Sequence, residues 1–201
     1  MDNKYDIVDE YLGGERKSML SKEELYMAKA ILSSKESLDP STQVGACYVD
    51  EEGNSLSTGC NNNPREWNPN SFPWGKDPNV DPQNTKYPYI IHAEMRALMD
   101  YRGSISDFKN STLYITLFPC VNCVKLLVSA GVKKIVYLVD DRKNTSDNIC
   151  AKILLNKCGI EYVDFKEVRK NNINWVNLCL DSDLFGKEDN KVLELSKKNK
   201  S

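Results

Sequence analysis

The sequence predicts an α/β fold in which a mixed sheet carries helices on both faces. Two observations predict it: a β-hairpin pattern in the N-terminal third, and an alternation of helical and strand patterns after it. With 40 % hydrophobic residues, a chain of 201 residues can bury one core, so we expect a single main domain. We place a polar leader at residues 1–20, the domain at 21–166, and a polar extension with a disordered end at 167–201.

The first predicted helix begins at Ser21-Lys22-Glu23-Glu24, because a serine cap with a glutamate three residues later forms a capping box. Its apolar residues recur at helical spacing and are Leu25, Ala28, Ile31 and Leu32. Asp39-Pro40 ends this segment. Residues 44–49 and 55–59 alternate in the manner of paired strands, and the turn at 50–54 joins them into a hairpin.

A loop rich in asparagine and proline follows at residues 60–89, and a loop of that length inside a domain is usually functional or mobile. The elements after it alternate between helix and strand: helix 92–101, strand 113–117, helix 120–130 closed by Gly131, strand 134–139, helix 146–157 with Gly159 just past its end, and strand 160–165. This order predicts crossover connections and therefore helices on both faces of the sheet.

Composition argues against a membrane or a secreted protein. No apolar run approaches the roughly eighteen residues that cross a bilayer, and the first residues lack the basic start and apolar stretch of a secretory signal. Seven cysteines, an odd number without a leader, favour reduced thiols and a cytoplasmic location. The net charge of −2 gives no broad attraction to nucleic acid and favours a small substrate, although a local basic groove stays compatible with it.

The most informative pattern surrounds the single histidine. His92 stands in His92-Ala93-Glu94, and Pro119-Cys120-Val121-Asn122-Cys123 follows downstream. A catalytic zinc site needs three protein ligands and an open position for water. His92, Cys120 and Cys123 supply those three ligands, and the pattern is the signature of zinc-dependent nucleobase deaminases.

Three other interpretations of these residues exist. A Cys-x-x-Cys pair also occurs in structural zinc sites and in redox pairs, and a lone histidine is often a buried core residue. A structural site needs a fourth ligand, and the chain has no second histidine. The remaining cysteines show no comparable local arrangement: Cys47, Cys60, Cys150, Cys158 and Cys179. The nearby Glu94 favours catalytic zinc over all three.

Glu94 is the predicted general base and acid. Residues two apart point to different sides of a regular helix, so His92 and Glu94 can address one cavity only if His92 lies at the helix cap. Glu94 can then take a proton from the attacking water, and return protons to the ring nitrogen and the departing ammonia. The alternative is a charge on an exposed helix face.

Longer blocks of the sequence resemble the deoxycytidylate (dCMP) deaminase family, over about residues 22–165. The blocks that carry the resemblance are Asp39-Pro40-Ser41-Thr42-Gln43-Val44-Gly45-Ala46, Phe72-Pro73-Trp74, Lys86-Tyr87-Pro88-Tyr89, Tyr114-Ile115-Thr116-Leu117-Phe118-Pro119-Cys120, and residues 126–137. The resemblance implies a cytidine-deaminase-type, three-layer α/β/α sandwich around a five-stranded mixed sheet. It also implies conversion of dCMP to dUMP for thymidylate synthesis. The implied assembly is a homo-hexamer, activated by dCTP and inhibited by dTTP bound with Mg²⁺.

The same resemblance implies roles for individual residues. Asn61 matches the family asparagine that contacts the sugar, although a turn residue in an Asn-rich stretch is the alternative. The backbone amides of Ala93 and Cys120 would hold the base and the attacking water.

The sequence departs from the family pattern around the nucleotide. The family has Gly-Tyr-Asn-Gly-aromatic-Pro where this chain has Gly59-Cys60-Asn61-Asn62-Asn63-Pro64, and it often has asparagine where this chain has Arg96. After the fourth strand the chain has Asp140-Asp141-Arg142 in place of Asp-Lys-Tyr.

Three arginines are predicted to border the pocket, and each could hold a phosphate through its planar guanidinium. They are Arg65, Arg96 and Arg142. The alternative for each is a surface or subunit-interface charge.

The sequence thus predicts a zinc hydrolase that acts on the C–N bond of a cyclic amidine, with dCMP as substrate and no nucleic-acid or membrane partner. The altered recognition residues leave dCTP or CMP open as substrates. A polynucleotide deaminase shares the zinc pattern but is disfavoured by the net negative charge. A non-catalytic, zinc-binding nucleotide sensor is the alternative outside the enzymes.

Overall fold

Five strands form one sheet in this structure, a computed structural model that describes residues 20–170. They are β1 (Gly45–Val49), β2 (Ser55–Cys60), β3 (Thr112–Leu117), β4 (Lys134–Val139) and β5 (Glu161–Asp164). Their order is β2-β1-β3-β4-β5. Strand β1 is antiparallel to both neighbours, and β3, β4 and β5 are parallel. The predicted five-stranded mixed sheet is therefore confirmed, while nearly all of the predicted leader and most of the predicted C-terminal extension lie outside the described residues.

The helices follow the predicted alternation. They are α1 (Lys22–Ser34), α2 (Ala93–Asp100), α3 (Val121–Ala130), α4 (Ser146–Lys157) and a short α5 (Phe165–Val168). The capping box at the start of α1 is confirmed, with Ser21 and Glu24 each bonding the other's backbone amide. Within residues 20–170 no helix combines the length and apolarity needed to cross a membrane.

Side chains that alternate along β3 separate the two faces of the sheet. Tyr114 packs on Tyr26 of α1, with ring centroids 5.2 Å apart. Its neighbours Leu113 and Ile115 point the other way and join the core cluster that includes residues of α2, α3 and α4. The result is a sandwich of three layers, and all five residues of β1 are buried because both of its faces are covered.

The close approach of α2 to β2 depends on Gly59. A Cβ at this position would lie 2.8 Å from the carbonyl oxygen of Ala93 and 2.5 Å from the amide of Ala97, which is closer than side chains tolerate. Glycine therefore lets the helix that carries Glu94 lie directly on the sheet. Gly131 has a different role. Its φ of +81° ends α3 in the left-handed conformation, as predicted.

Two segments differ from the sequence prediction. The loop at 60–89 contains two short 3-10 turns, Pro69–Ser71 and Pro82–Asn84. It also contains an aromatic cluster of Trp67, Phe72, Trp74 and Tyr89. The last strand ends at Asp164, because buried Phe165 begins a helical turn instead of completing the strand.

Candidate active site and metal centre

Two helix starts bring the signature residues together. His92 is the N-cap of α2 and Cys120 is the N-cap of α3, and both have extended backbone conformations. Because a cap lies outside the regular helix, His92 and Glu94 can face one cavity although they are two residues apart. The predicted position of His92 at the helix cap is confirmed.

The three candidate ligand atoms have the spacing of a zinc site. His92 Nδ1 lies 3.5 Å from Cys120 Sγ and 3.3 Å from Cys123 Sγ, and all three atoms lie within 4.8 Å of one another. Tetrahedral zinc with Zn–S bonds of about 2.3 Å and Zn–N bonds of about 2.0–2.1 Å requires N···S separations of roughly 3.6 Å. The donor set and its geometry therefore fit a zinc ion.

The two thiols share one environment but differ in proton affinity. The hydrogen bond with Cys123 lowers the pKa of Cys120 to about 3, and the hydrogen bond with His92 acts in the same direction. The same contact and burial raise the pKa of Cys123. Zinc binds the thiolate form of cysteine, so the lowered pKa of Cys120 favours metal binding.

Glu94 is buried beside this group, with 3 % of its surface exposed. The Glu94 carboxyl lies near the Cys123 thiol and contributes to the raised pKa of that thiol. Burial raises the pKa of this carboxyl, and the charge of His92 acts against that effect. The Tyr48 hydroxyl donates to the backbone carbonyl of Glu94 at 3.2 Å, which ties the start of α2 to β1.

A cavity of about 210 Å³ opens onto these residues. Ala93 and Cys120 line it together with His92 and Glu94. The first amides of a helix have no acceptor within that helix, so those of Ala93 and Cys120 can bind an external group. Their predicted role in holding base and water stays a prediction.

Another wall of the cavity carries a polar cluster that we call the Asp39 network. Asp39, Asn61 and Lys86 are buried and line the cavity, and the exposed Ser41 completes the network. Lys86 Nζ lies 2.5 Å from Asp39 Oδ2 and 2.8 Å from Ser41 Oγ, and the side chains of the ion pair are 6 % and 0 % exposed. Asn61, predicted to contact the sugar, lines the cavity and belongs to this cluster. The sequence did not predict a role for Asp39, which ends the first helical segment and begins one block of the resemblance, or for Lys86, which belongs to another block.

Arg142 also lines the cavity, as predicted. Its Nη2 donates to the carbonyl oxygen of Phe118 at 3.3 Å, and Asp141 lies 3.8 Å away as a weak, exposed ion pair. The preceding Asp140 accepts from Asn148 and from Lys152, both on α4. Asp140 thus fixes the segment that carries Arg142.

The predicted positions of Arg65 and Arg96 were wrong. Both line a second cavity, of about 380 Å³, and neither lines the first. Arg96 follows Glu94 by two residues on α2, which turns its side chain to another side of the helix, where it donates to Asn63 O at 2.7 Å. Arg65 forms an exposed ion pair with Asp100 at 2.5 Å.

The fold and this cavity together define a class: zinc-dependent deaminases that act on a nucleobase. The sequence matches the family model of the cytidine and deoxycytidylate deaminase zinc-binding region over residues 20–139. The chain therefore belongs to the cytidine and deoxycytidylate deaminase family, whose members are hydrolytic enzymes.

Relatives with this description cover most of the chain. A probable deoxycytidylate deaminase of Drosophila melanogaster is 34 % identical over 87 % of this chain and 84 % of its own length. The deoxycytidylate deaminase of Homo sapiens is 34 % identical over 75 % of this chain and 83 % of its own. A dCMP deaminase from the cyanophage S-TIM5, solved with dCMP and dUMP, superposes with a TM-score of 0.54 at 29 % identity, covering 71 % of this chain and 95 % of that one.

Proposed function

We propose that this chain hydrolyses dCMP to dUMP and ammonia, and so supplies dUMP for thymidylate synthesis. The observation that carries the proposal is the buried Glu94 carboxyl beside the three candidate zinc ligands at the end of one cavity. Relatives described as deoxycytidylate deaminases support dCMP as the substrate.

His92, Cys120 and Cys123 would hold the zinc ion, consistent with their N···S distances of 3.5 and 3.3 Å. When bound there, zinc lowers the pKa of a water molecule and so provides a nucleophile near neutral pH. Two thiolates and a neutral imidazole leave the site formally neutral, which makes a neighbouring base more important.

Glu94 is that base. Its carboxylate accepts a proton from the attacking water and delivers it to the ring nitrogen of cytosine, and a second transfer protonates the departing amine. Burial favours the neutral form of Glu94, so the carboxyl can hold the proton between the two transfers. The backbone amides of Ala93 and Cys120, at the starts of α2 and α3, orient the cytosine ring and the attacking water.

Arg142 binds the 5′-phosphate in this proposal. Its guanidinium lies on the cavity wall and is 46 % exposed, so it can form bidentate hydrogen bonds to phosphate without breaking a buried ion pair. This role would explain a preference for the nucleotide over the nucleoside.

The second cavity, lined by Arg65, Arg96, Asn62 and Asn63, is our proposed site for dCTP and for dTTP with Mg²⁺. The guanidinium groups of Arg65 and Arg96 suit a phosphorylated ligand, and the carboxylates of Glu36 and Asp100 line the same cavity. We also propose that the chain assembles as a homo-hexamer and that it acts in the cytoplasm. A free nucleotide, not a polynucleotide, is the expected partner.

A substrate panel tests the proposal. We expect dUMP formation from dCMP to exceed deamination of dCTP, CMP and deoxycytidine by at least about tenfold in kcat/KM. Faster deamination of dCTP or CMP would show that the substrate is another cytosine nucleotide. Zinc binding without any deamination would indicate a non-catalytic nucleotide sensor. Adding dCTP or dTTP to each reaction tests regulation, and Arg65→Ala should weaken that response.

A further inference from the structure

The Asp39 network satisfies a buried carboxylate completely. Asp39 Oδ1 accepts from the amides of Ser41 at 2.9 Å and Thr42 at 3.1 Å, and from the Ser41 hydroxyl at 2.9 Å. Asp39 Oδ2 accepts from Lys86 Nζ at 2.5 Å and from Asn61 Nδ2 at 3.1 Å. The positive charge of Lys86 therefore compensates a carboxylate that is 1 % exposed.

These contacts allow the Asn61 amide only one orientation. Its Nδ2 donates to Asp39 Oδ2 and to the carbonyl oxygen of Thr42 at 2.8 Å, and its Oδ1 accepts from the amide of Val44 at 2.7 Å. A flipped amide would set a donor against the Val44 amide and its oxygen against two acceptors. The backbone groups of Thr42 and Val44 set this orientation, and Asp39 reinforces it because an ionised carboxylate can only accept from Asn61 Nδ2.

That oxygen keeps a lone pair for a ligand. Within residues 20–170, the only other hydrogen-bond partner of Asn61 Oδ1 is the Ser37 hydroxyl, at 3.0 Å. This hydroxyl has a single hydrogen and lies closer to the main-chain oxygen of Asn61, at 2.7 Å. Since Asn61 lines the cavity, Oδ1 can accept a hydrogen bond from a substrate hydroxyl there.

We infer that Lys86 and Asp39 are positioning residues for sugar recognition: Lys86 holds Asp39 ionised, and Asp39 holds Asn61 with its oxygen available to the substrate. This inference rests on the proposed deamination of dCMP. The sugar of dCMP has one free hydroxyl, the 3′ hydroxyl, because the 5′ position carries the phosphate. Lys86 and Asp39 act through Asn61 and need not touch the nucleotide.

The test compares dCMP with 2′,3′-dideoxy-CMP, which lacks the 3′ hydroxyl. In the unmodified chain we expect KM to be about tenfold higher for the dideoxy nucleotide, since one hydrogen bond is lost. In Lys86→Met and in Asp39→Asn this ratio should fall to about two or less, because a neutral side chain at position 39 turns a donor toward Asn61 Nδ2 and displaces the amide. Zinc content should be unchanged, and kcat for dCMP should stay within about threefold.

Two further variants separate positioning from stability. Lys134→Met, on β4, removes the half-buried ion-pair partner of the exposed Glu161 and should leave the ratio unchanged. The double variant Asp39→Asn/Lys86→Met buries no unpaired charge, so it should fold even where Lys86→Met does not. Its asparagine at position 39 must offer its oxygen to the Ser41 and Thr42 amides and its amino group to Asn61, so the low ratio should persist.

The inference would be overturned if the ratio of the two KM values in Lys86→Met equalled that of the unmodified chain. It would also be overturned if the double variant recovered both stability and the high ratio. Absence of dCMP turnover by the unmodified chain would instead overturn the proposed function, so the two failures are distinguishable.

Discussion

The metal end of the cavity and the Asp39 network are built in opposite ways. At the metal end, the ligands and Glu94 are separated by two or three residues within each helix start, and only α2 and α3 need to meet. In the Asp39 network, Asp39 meets Asn61 across 22 residues and Lys86 across 47. The groups proposed to react are therefore set by local geometry, whereas the sugar recognition that we propose depends on loops that must dock correctly.

The largest effect should come from removing a ligand at the metal end. Cys123→Ser should abolish bound zinc and lower kcat/KM for dCMP by more than about a thousandfold, since three ligands are the minimum of a catalytic site. Metal analysis and dUMP assays on the same sample measure both. Cys150→Ser, at an exposed position of α4, is the control. Full activity in a zinc-free Cys123→Ser protein would contradict the assignment.

The next effect separates chemistry from metal binding. Glu94→Gln preserves size but removes the base, so kcat should fall by about 10²–10⁴-fold while zinc content stays at the level of the unmodified chain. Glu161→Gln, in an exposed ion pair, serves as the matched control. If Glu94→Gln kept its kcat, Glu94 would not be the base, even with zinc in place.

A smaller effect is expected from removing Arg142, which we propose binds the 5′-phosphate of dCMP. Arg142→Ala should raise KM for dCMP by about ten- to a hundredfold, because a bidentate charged contact is lost, while the same constant for deoxycytidine should not change. Arg102→Ala, at an exposed position outside both cavities, is the control. Equal effects on dCMP and deoxycytidine would remove Arg142 from phosphate binding.

The smallest effect concerns the pH dependence of the Asp39 network. Burial alone would raise the pKa of Asp39, but the hydrogen bonds from Lys86, Ser41 and Thr42 lower it below 3.8. Its contribution to stability is therefore full above pH 3.8 and is lost as the pH falls through the lowered pKa.

The difference in the free energy of unfolding between the unmodified chain and Asp39→Asn should therefore decrease as the pH falls. Urea titrations between about pH 6 and about pH 3 measure this difference. Protonation of the zinc ligands acts on both proteins alike, so a difference that does not depend on pH would contradict the role of Asp39.

Sequence patterns correctly predicted the features that depend only on residues close to one another in the chain. The capping box at Ser21, the cap position of His92 and the closure of α3 at Gly131 are all confirmed. Each depends on residues within a few positions of one another. The five-stranded mixed sheet followed from the order of elements and from the family resemblance.

The remaining features depend on tertiary packing. The two-residue spacing from Glu94 places Arg96 on another side of α2, but the second cavity that it lines there depends on how α2 packs on Gly59. Nothing local marks Lys86 as a buried partner of Asp39, since isolated lysines are usually exposed. The resemblance marked Lys86-Tyr87-Pro88-Tyr89 as distinctive, but the physical reason appears only when two distant loops meet.

The most direct test of the central claim is one preparation assayed for metal and product together. We predict about one zinc per chain, with dUMP and ammonia formed from dCMP in equal amounts. Chelation should remove zinc and turnover together, and added zinc should restore both. Undiminished dUMP formation by the metal-free chain, or a fully zinc-loaded chain that forms no dUMP, would contradict the account.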